Sequence, residues 1–350
     1  MVDGLDTLLA SSSHPGLFEL RSTLSELFGG SQATGRLLAE HALAPRVYRL
    51  HFQVNGQAGA LVLKCLDPDF ARRSQLVTTR WLPAIQASRS SPALLGIAAE
   101  RTGRCIWHVY EDLGDCVLDE RAPHLPHVRV AVELMARIHS RCAEHPMLAE
   151  CRFWGGDLGI GYYATKIRDA IRTLNALRPP SVELPAEYVR VRDSLLDRLH
   201  RLRDEESERT RLMREAGGPE TLLHGDLWPK NVLILDDDHG LEARLVDWDR
   251  VGVGSVSYDL STFLARFPPA DRRWILEYYQ RCVAPSGWQL ATGADLNVLL
   301  DTAECARLAD CVIWPAVAIL ESQRRSCGWA LDELATVHQW FEMVQPVLPA

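Results

Sequence analysis

Residues 16–28, GLFELRSTLSELF, repeat apolar side chains at helical spacing and predict an amphipathic helix. The period then shortens. VYRLHFQV (47–54) and AGALVLKCL (58–66) are apolar-rich runs on either side of Asn55-Gly56-Gln57, and Asn-Gly between two such runs signals a hairpin. A helix is expected over 69–87, followed by two more strands, ALLGIAA and CIWHVYEDL, the second ending near residue 113. Beyond that the helical period takes over, at 126–144, 160–177 and 185–215. The last of these mixes Arg with Asp and Glu as a solvated face and stops at Gly217-Gly218. One segment interrupts the helices. In TLLHGDLWPKNVLILDDDHGLEARLVDWDR the runs VLIL and ARLV read as strands joined by the turn DDDHG, so the motifs at its two ends come close together. From 257 the pattern is helical again, punctuated by Pro268-Pro269 and Pro285.

A strand-rich first third and a helix-rich remainder, with a switch near 110–115, imply an α+β chain of two lobes with a cleft between them. The expected division is a first lobe at 1–109, a hinge at 110–114 and a helical lobe at 115–350. Composition fits a globular chain, with 47% apolar and 24% charged residues among 350. No window approaches 18 uninterrupted apolar residues, and MVDGLDTLLASSS has acids where an export signal needs bases, so the expectation is a cytoplasmic protein with no membrane partner. The net charge of −8 lacks the concentrated basic surface of a nucleic-acid binder. Nine scattered cysteines without a CxxC pair read as reduced thiols. His139, Cys142 and His145 in HSRCAEH have no second cluster to complete a tetrahedral metal set.

Candidate chemistry concentrates in HGDLWPKN (224–231) and LVDWD (245–249). Asp226, Asn231 and Asp247 are hard oxygen donors, too few for an all-protein calcium cage but suited to Mg²⁺ shared with a nucleotide. The acid left over can serve as base for an attacking hydroxyl. Phosphoryl transfer also needs a fixed cation on the phosphates. The chain has three lysines, Lys64, Lys166 and Lys230, and Lys64 near the end of the second predicted strand is the candidate.

These residues resemble the aminoglycoside phosphotransferase and choline kinase group, relatives of protein kinases. H-x-D-x₄-N followed by a hairpin and D-W-D carries the resemblance. So do ALVLK as a nucleotide-lobe lysine strand, VYEDLGD as a hinge, LMARIHS as the helix before the catalytic loop, and GVGSVSYDLSTFL after DWD. The resemblance spans roughly 45–265 and implies a protein-kinase-like fold with ATP (or GTP) and Mg²⁺ as cofactors. Asp226 would accept the substrate hydroxyl proton, Asn231 and Asp247 would hold the metal, and Lys64 would grip the phosphates. Backbone groups of Glu111 to Leu113 would hold the adenine edge, and Asp259 would brace the catalytic loop. The implied activity is phosphorylation of a hydroxyl on an antibiotic such as an aminoglycoside, an amino sugar or an amino alcohol.

Three features depart from the family pattern. AEHALAPR, before VYRL, has no glycine to cover phosphates, and Pro45 stiffens it. FARRSQLVTTRWL has no acid to pair with Lys64, leaving Ser74 or Gln75 as stand-ins. Trp228 stands where protein kinases have lysine. Two alternatives stay open: a protein kinase, and a catalytically silent nucleotide-binding or regulatory module. In 295–321 the acids Asp295, Asp301, Glu304, Asp310 and Glu321 face a single base, Arg307, which would suit an amine-bearing acceptor or form a solvated face. Trp314-Pro315 marks a kink there. Asp249 reads as a supporting acid or a turn residue, and FWGGDLGIGYY as a loop lining the substrate side. Neither the acceptor nor the oligomeric state follows from the sequence.

Overall fold

A computed structural model describes residues 2–3, 14–29, 35–237, 240–321, 328–344 and 346–348. The chain divides into two compact units: Met1–Asp119 with Pro123–Ile138 and Pro229–Val251, and Glu120–Ala122 with His139–Trp228 and Gly252–Ala350.

In the first unit, strands β1 (Val2–Asp3), β2 (Gly35–Ala44), β3 (Val47–Val54), β4 (Gln57–Leu66), β5 (Leu94–Ala99) and β6 (Ile106–Glu111) form one sheet in the order β1-β2-β3-β4-β6-β5. All neighbours are antiparallel except the two-residue β1. The expected hairpin pairs Val54 with Gln57 at its turn and Val47 with Lys64 at its far end. Asn55 and Gly56 both take positive φ, the geometry that makes Asn-Gly a tight-turn pair. Alternation along β4 sorts its side chains. Leu61, Leu63 and Cys65 enter the core with Trp107, Val109 and helix α1 (Leu17–Leu27), so Lys64 faces the other way. The expected helix over 69–87 forms as α2 (Pro68–Leu76), a π turn at Val77–Trp81 and a short piece at Leu82–Ala84. A hairpin of β8 (Val232–Asp237) and β9 (Gly240–Leu245) belongs to this unit as well. Its predicted turn, DDDHG, includes Asp238 and His239, which lie outside the described residues.

Strand β2 was not expected. GRLLAEHALA holds no β-branched residue and is rich in helix formers, yet it pairs with β3 along most of its length. Strand pairing here overrides local preference, because a backbone lying along an open sheet edge completes its hydrogen bonds there.

The second unit is mostly helical. Helices α5 (Ile160–Ala176), α6 (Ala186–Asp204), α10 (Gly293–Glu321) and α11 (Gly328–Met343) enclose a core that includes Tyr163, Leu195, Leu199, Val312 and Phe341. The predicted 185–215 helix divides at Glu205 into α6 and α7 (Glu206–Ala216). Helix α10 runs through Pro315, and Trp314 is 65% exposed. Short strands β7 (Glu220–Leu223) and β10 (Gly252–Ser255) pair antiparallel. They are only four residues each, too brief for a period to register. The loop before α5 is tied to β10: Val253 N–H donates to Gly156 O and Leu158 N–H to Val253 O, both at 2.8 Å. This close approach needs glycine on the strand. A Cβ on Gly254 would come within 2.5 Å of Leu158 O. The eight described cysteines are all free.

Asp259, on helix α8 (Ser257–Leu264), is the polar centre of this unit. It is 1% exposed and accepts from His224 N–H (2.7 Å) and Gly225 N–H (2.9 Å), while His139 Nε2 lies 3.2 Å from the same carboxylate. Gly225 has φ 80°, a backbone state that disfavours a side chain. Asp259→Ala is expected to destabilise the protein by ~2–4 kcal/mol, since it strands buried N–H donors. Urea unfolding measures this, and a change under ~0.5 kcal/mol contradicts the bracing role.

Candidate active site

The first unit contains a cavity of about 470 Å³. Val47, Val62, Leu233 and Val246 give it apolar walls, and the segment Tyr110–Asp115 forms one side. Leu43 and Ala44 from the end of β2 also line it, so the glycine-free stretch AEHALAPR lies where the family pattern has a glycine-containing loop. Of the six residues singled out by sequence, Lys64, Glu111, Leu113, Asn231 and Asp247 line this one cavity. Asp226 belongs to the second unit.

The side formed by residues 111–115 is held by Arg49 of β3, which sequence reading overlooked. Its guanidinium donates to Asp115 (2.6 Å) and to Gly114 O (2.9 Å) and lies 3.0 Å from Asp112. Arg49 is itself 8% exposed, so the segment is fixed from within the fold. The two ends of the segment differ. Glu111 N–H donates to Ala93 O (3.1 Å) as part of the sheet, and the Glu111 carboxylate accepts from Ala93 N–H (2.7 Å). Leu113 N–H has no backbone acceptor among the described residues.

Lys64 finds its acidic partners outside FARRSQLVTTRWL. Its ammonium pairs with Asp247 and, at 2.8 Å, with Asp249. Ser74, the expected stand-in on α2, does reach this cluster, but its hydroxyl donates to Asp249 (3.1 Å), and Gln75 is exposed. Asp249 thus supplies the carboxylate that residues 70–82 lack. Burial acts to lower the Lys64 pKa, yet Asp247 and Asp249 outweigh it and hold the ammonium above its ordinary value. The Asp249 carboxyl is raised by burial, with Asp247 adding to this and Lys64 opposing it.

The turn carrying both acids is built around Trp248, which is buried and donates through its indole N–H to Leu245 O (3.1 Å). Asp247 adopts φ 67°, ψ 54°, a left-handed state uncommon outside glycine and characteristic of functional sites. Asn231 is fixed by its carbonyl, which accepts from Val246 N–H at 3.0 Å. Among the described residues no three His, Cys, Asp or Glu side chains cluster to hold a metal. An amide and a carboxylate oxygen on one cavity do fit Mg²⁺, which takes few protein oxygens and completes its shell with water and phosphate.

In the second unit, Asp226 follows the braced His224-Gly225 pair, and its N–H donates to His224 Nδ1 (3.3 Å). His224 is buried and serves this loop. His139, also buried, bonds Tyr279 and Asp259, with no metal-like partner set. The acids of α10 have internal partners: Asp301 with Arg209 (2.7 Å), Glu304 with Arg307 (2.6 Å) and Asp310 with Lys166 (2.7 Å). Asp295 and Glu321, at the helix ends, are exposed.

A strand-rich unit with this lysine–acid cavity and a helical unit carrying a braced HGD loop define a kinase-like phosphotransferase. Residues 29–289, three quarters of the chain, match the model of the phosphotransferase enzyme family. The chain belongs to that family and is, in class, a small-molecule kinase. Its fold is similar to that of an ethanolamine kinase from Plasmodium vivax (TM-score 0.55, 12% identity, 96% of this chain and 95% of that one). It is also similar to a spectinomycin phosphotransferase solved with ADP and spectinomycin (TM-score 0.54, 11% identity, 90% of each chain). No curated relative matches the sequence. Among the described residues no helix is long and apolar enough to cross a membrane.

His108 lies on β6 and is fully buried, with its Nδ1 2.8 Å from the Tyr110 hydroxyl. Burial, reinforced by the Lys64 charge, depresses its pKa to about 4 from 6.5. The unfolded chain therefore binds a proton that the folded one refuses as pH falls from 6.5 toward 4, and stability is lost across that window. Relative to His108→Asn, the wild type is expected to lose about 2 kcal/mol between pH 7.5 and pH 5 in urea unfolding. Parallel pH profiles for the two proteins contradict the assignment.

Proposed function

We propose that the chain transfers the terminal phosphoryl group of ATP or GTP to a hydroxyl of a small molecule. One observation carries the reading. Lys64 and Asp247, 183 positions apart, meet in an ion pair on the cavity that Asn231 also lines. An ammonium facing hard oxygen donors is the arrangement that phosphate and its metal require.

In this reading the apolar walls take the base. Leu113 N–H and the backbone of Glu111 hold its edge, and Arg49 keeps that segment rigid. Lys64 holds the phosphates. Asn231 and Asp247 would hold Mg²⁺, which when bound neutralises charge on the phosphates. With Asp247 engaged by the metal, Asp249 would keep the Lys64 ammonium aimed. Asp226 accepts the hydroxyl proton as the acceptor attacks. By function, residues 1–109 form the nucleotide lobe, 110–114 the hinge and 115–350 the lobe with the catalytic loop and acceptor site. A cytoplasmic setting fits an enzyme that draws on a nucleoside triphosphate, and action on an antibiotic would make this a resistance enzyme.

Coupled ADP release across a panel of hydroxyl compounds tests the reading, and nucleotide binding with no transfer to any of them would favour the silent module instead. Asp226→Asn is expected to keep nucleotide affinity while lowering kcat by ~10²–10⁴-fold, the usual contribution of a general base. An unchanged kcat removes Asp226 from that role. Asp247→Ala is expected to abolish Mg²⁺-dependent nucleotide binding in calorimetry, and intact binding refutes the metal assignment.

A further inference from the structure

The second unit holds a cationic cluster beside the proposed base. Arg266, seven residues beyond Asp259, stacks its guanidinium on the Trp228 ring at 3.7 Å, and Arg307 lies 5.6 Å from the same ring. Trp228 is two positions from Asp226, and both side chains are only half-buried. The two arginines are not equally satisfied. Arg307 binds both oxygens of Glu304, at 2.6 and 3.0 Å. That leaves Glu304 only a 3.9 Å contact with Arg266. Arg266 Nε is buried with no hydrogen-bond partner among the described residues, although the side chain as a whole is 26% exposed. Burial lowers its pKa below the ordinary arginine value, with Glu304, Asp226 and Glu120 opposing and Arg307 adding. No described acid meets Arg266 at ion-pair distance as closely as Glu304 meets Arg307.

Within α10, the three acids away from its ends are already committed, since Asp301, Glu304 and Asp310 each hold an internal base. The open charge next to the base is therefore positive. A guanidinium over an indole face is held by the ring rather than by its N–H groups, and a guanidinium N–H edge matches an oxyanion in two parallel hydrogen bonds. We propose that the acceptor of this enzyme is an alcohol bearing an oxyanion, a carboxylate or a phosphate ester, which Arg266 binds against Trp228 so that the hydroxyl meets Asp226. This rests on the phosphotransferase reading above and sets its substrate class apart from polyamines. The step balances simply: the acceptor oxygen forms a bond to phosphorus, the bond from phosphorus to the nucleoside diphosphate breaks, and Asp226 takes the hydroxyl proton.

The test uses the full chain with ATP and Mg²⁺ and reads ADP release. The acceptors are glycerate and gluconate as carboxylates, glycerol phosphate as a phosphate ester, glycerol and glucose as neutral alcohols, and choline and streptomycin as cations. Turnover is expected with the anionic group, and the split between carboxylate and phosphate acceptors assigns the oxyanion. For the best acceptor, Arg266→Gln is expected to raise KM by ~10–100-fold, as for loss of one charge-assisted contact, and to leave the KM for ATP unchanged. The uncharged methyl ester or amide of that acceptor, tested on the wild type, should lose a similar factor, and it gives the answer even if the variant fails to fold. Preferred turnover of choline, streptomycin or the neutral alcohols overturns the proposal and leaves the phosphotransferase reading intact. So does an Arg266→Gln defect of equal size in kcat for charged and uncharged acceptors, which would assign the arginine to the transferred phosphoryl group. Nucleotide binding with no turnover of any acceptor overturns both.

Discussion

One ammonium shared by two carboxylates organises the cavity. Lys64 projects from a strand whose alternate residues are locked in the core, so its direction is set by β4 rather than by the lysine stem. Asp247 and Asp249 come from a turn pinned by buried Trp248. A partly exposed ion pair of this kind contributes little net stability, because solvent screening and desolvation offset the Coulomb gain. Its value is positional. Two acids on one cation are more than neutrality needs, and the surplus carboxylate is the one a divalent ion can recruit.

That arrangement also accounts for a departure from the family pattern. With no acid in residues 70–82, the expected partner for Lys64 is absent, and Asp249 fills the place from the turn around Trp248, with Ser74 of α2 bonded to it. The helix still contributes, as a hydroxyl that orients a carboxylate. Replacement of the glycine-rich loop follows similar logic: the ends of β2 and β3 cover the cavity as a strand pair, so no glycine-dependent cradle is required for enclosure.

Much of this was legible in the chain. The Asn55-Gly56 hairpin, the β8–β9 pair and the long helices each announce themselves by period or turn chemistry, and HGDLWPKN and LVDWD singled out Asn231 and Asp247, which line one cavity, together with Asp226, which belongs to the second unit. What stayed hidden depends on partners far away in sequence. Strand β2 looks helical until β3 lies beside it. Arg49 is one arginine among many until Asp112, Gly114 and Asp115 close around it. The acids of α10 look like an amine receptor by count, and only their pairing with Arg209, Arg307 and Lys166 reverses that sense. Charge composition along a helix says little about the field it presents, because neutralising bases arrive from other elements.

The most direct measurement of the central claim is a crystal structure of the protein with ADP and Mg²⁺. The account predicts nucleotide in the cavity of the first unit, a phosphate oxygen within hydrogen-bond reach of Lys64 Nζ, and a metal ion ligated by Asn231 and Asp247, with Lys64 still paired to Asp249. Nucleotide bound elsewhere, or Lys64 bridging both carboxylates with no metal between protein and phosphate, would contradict it.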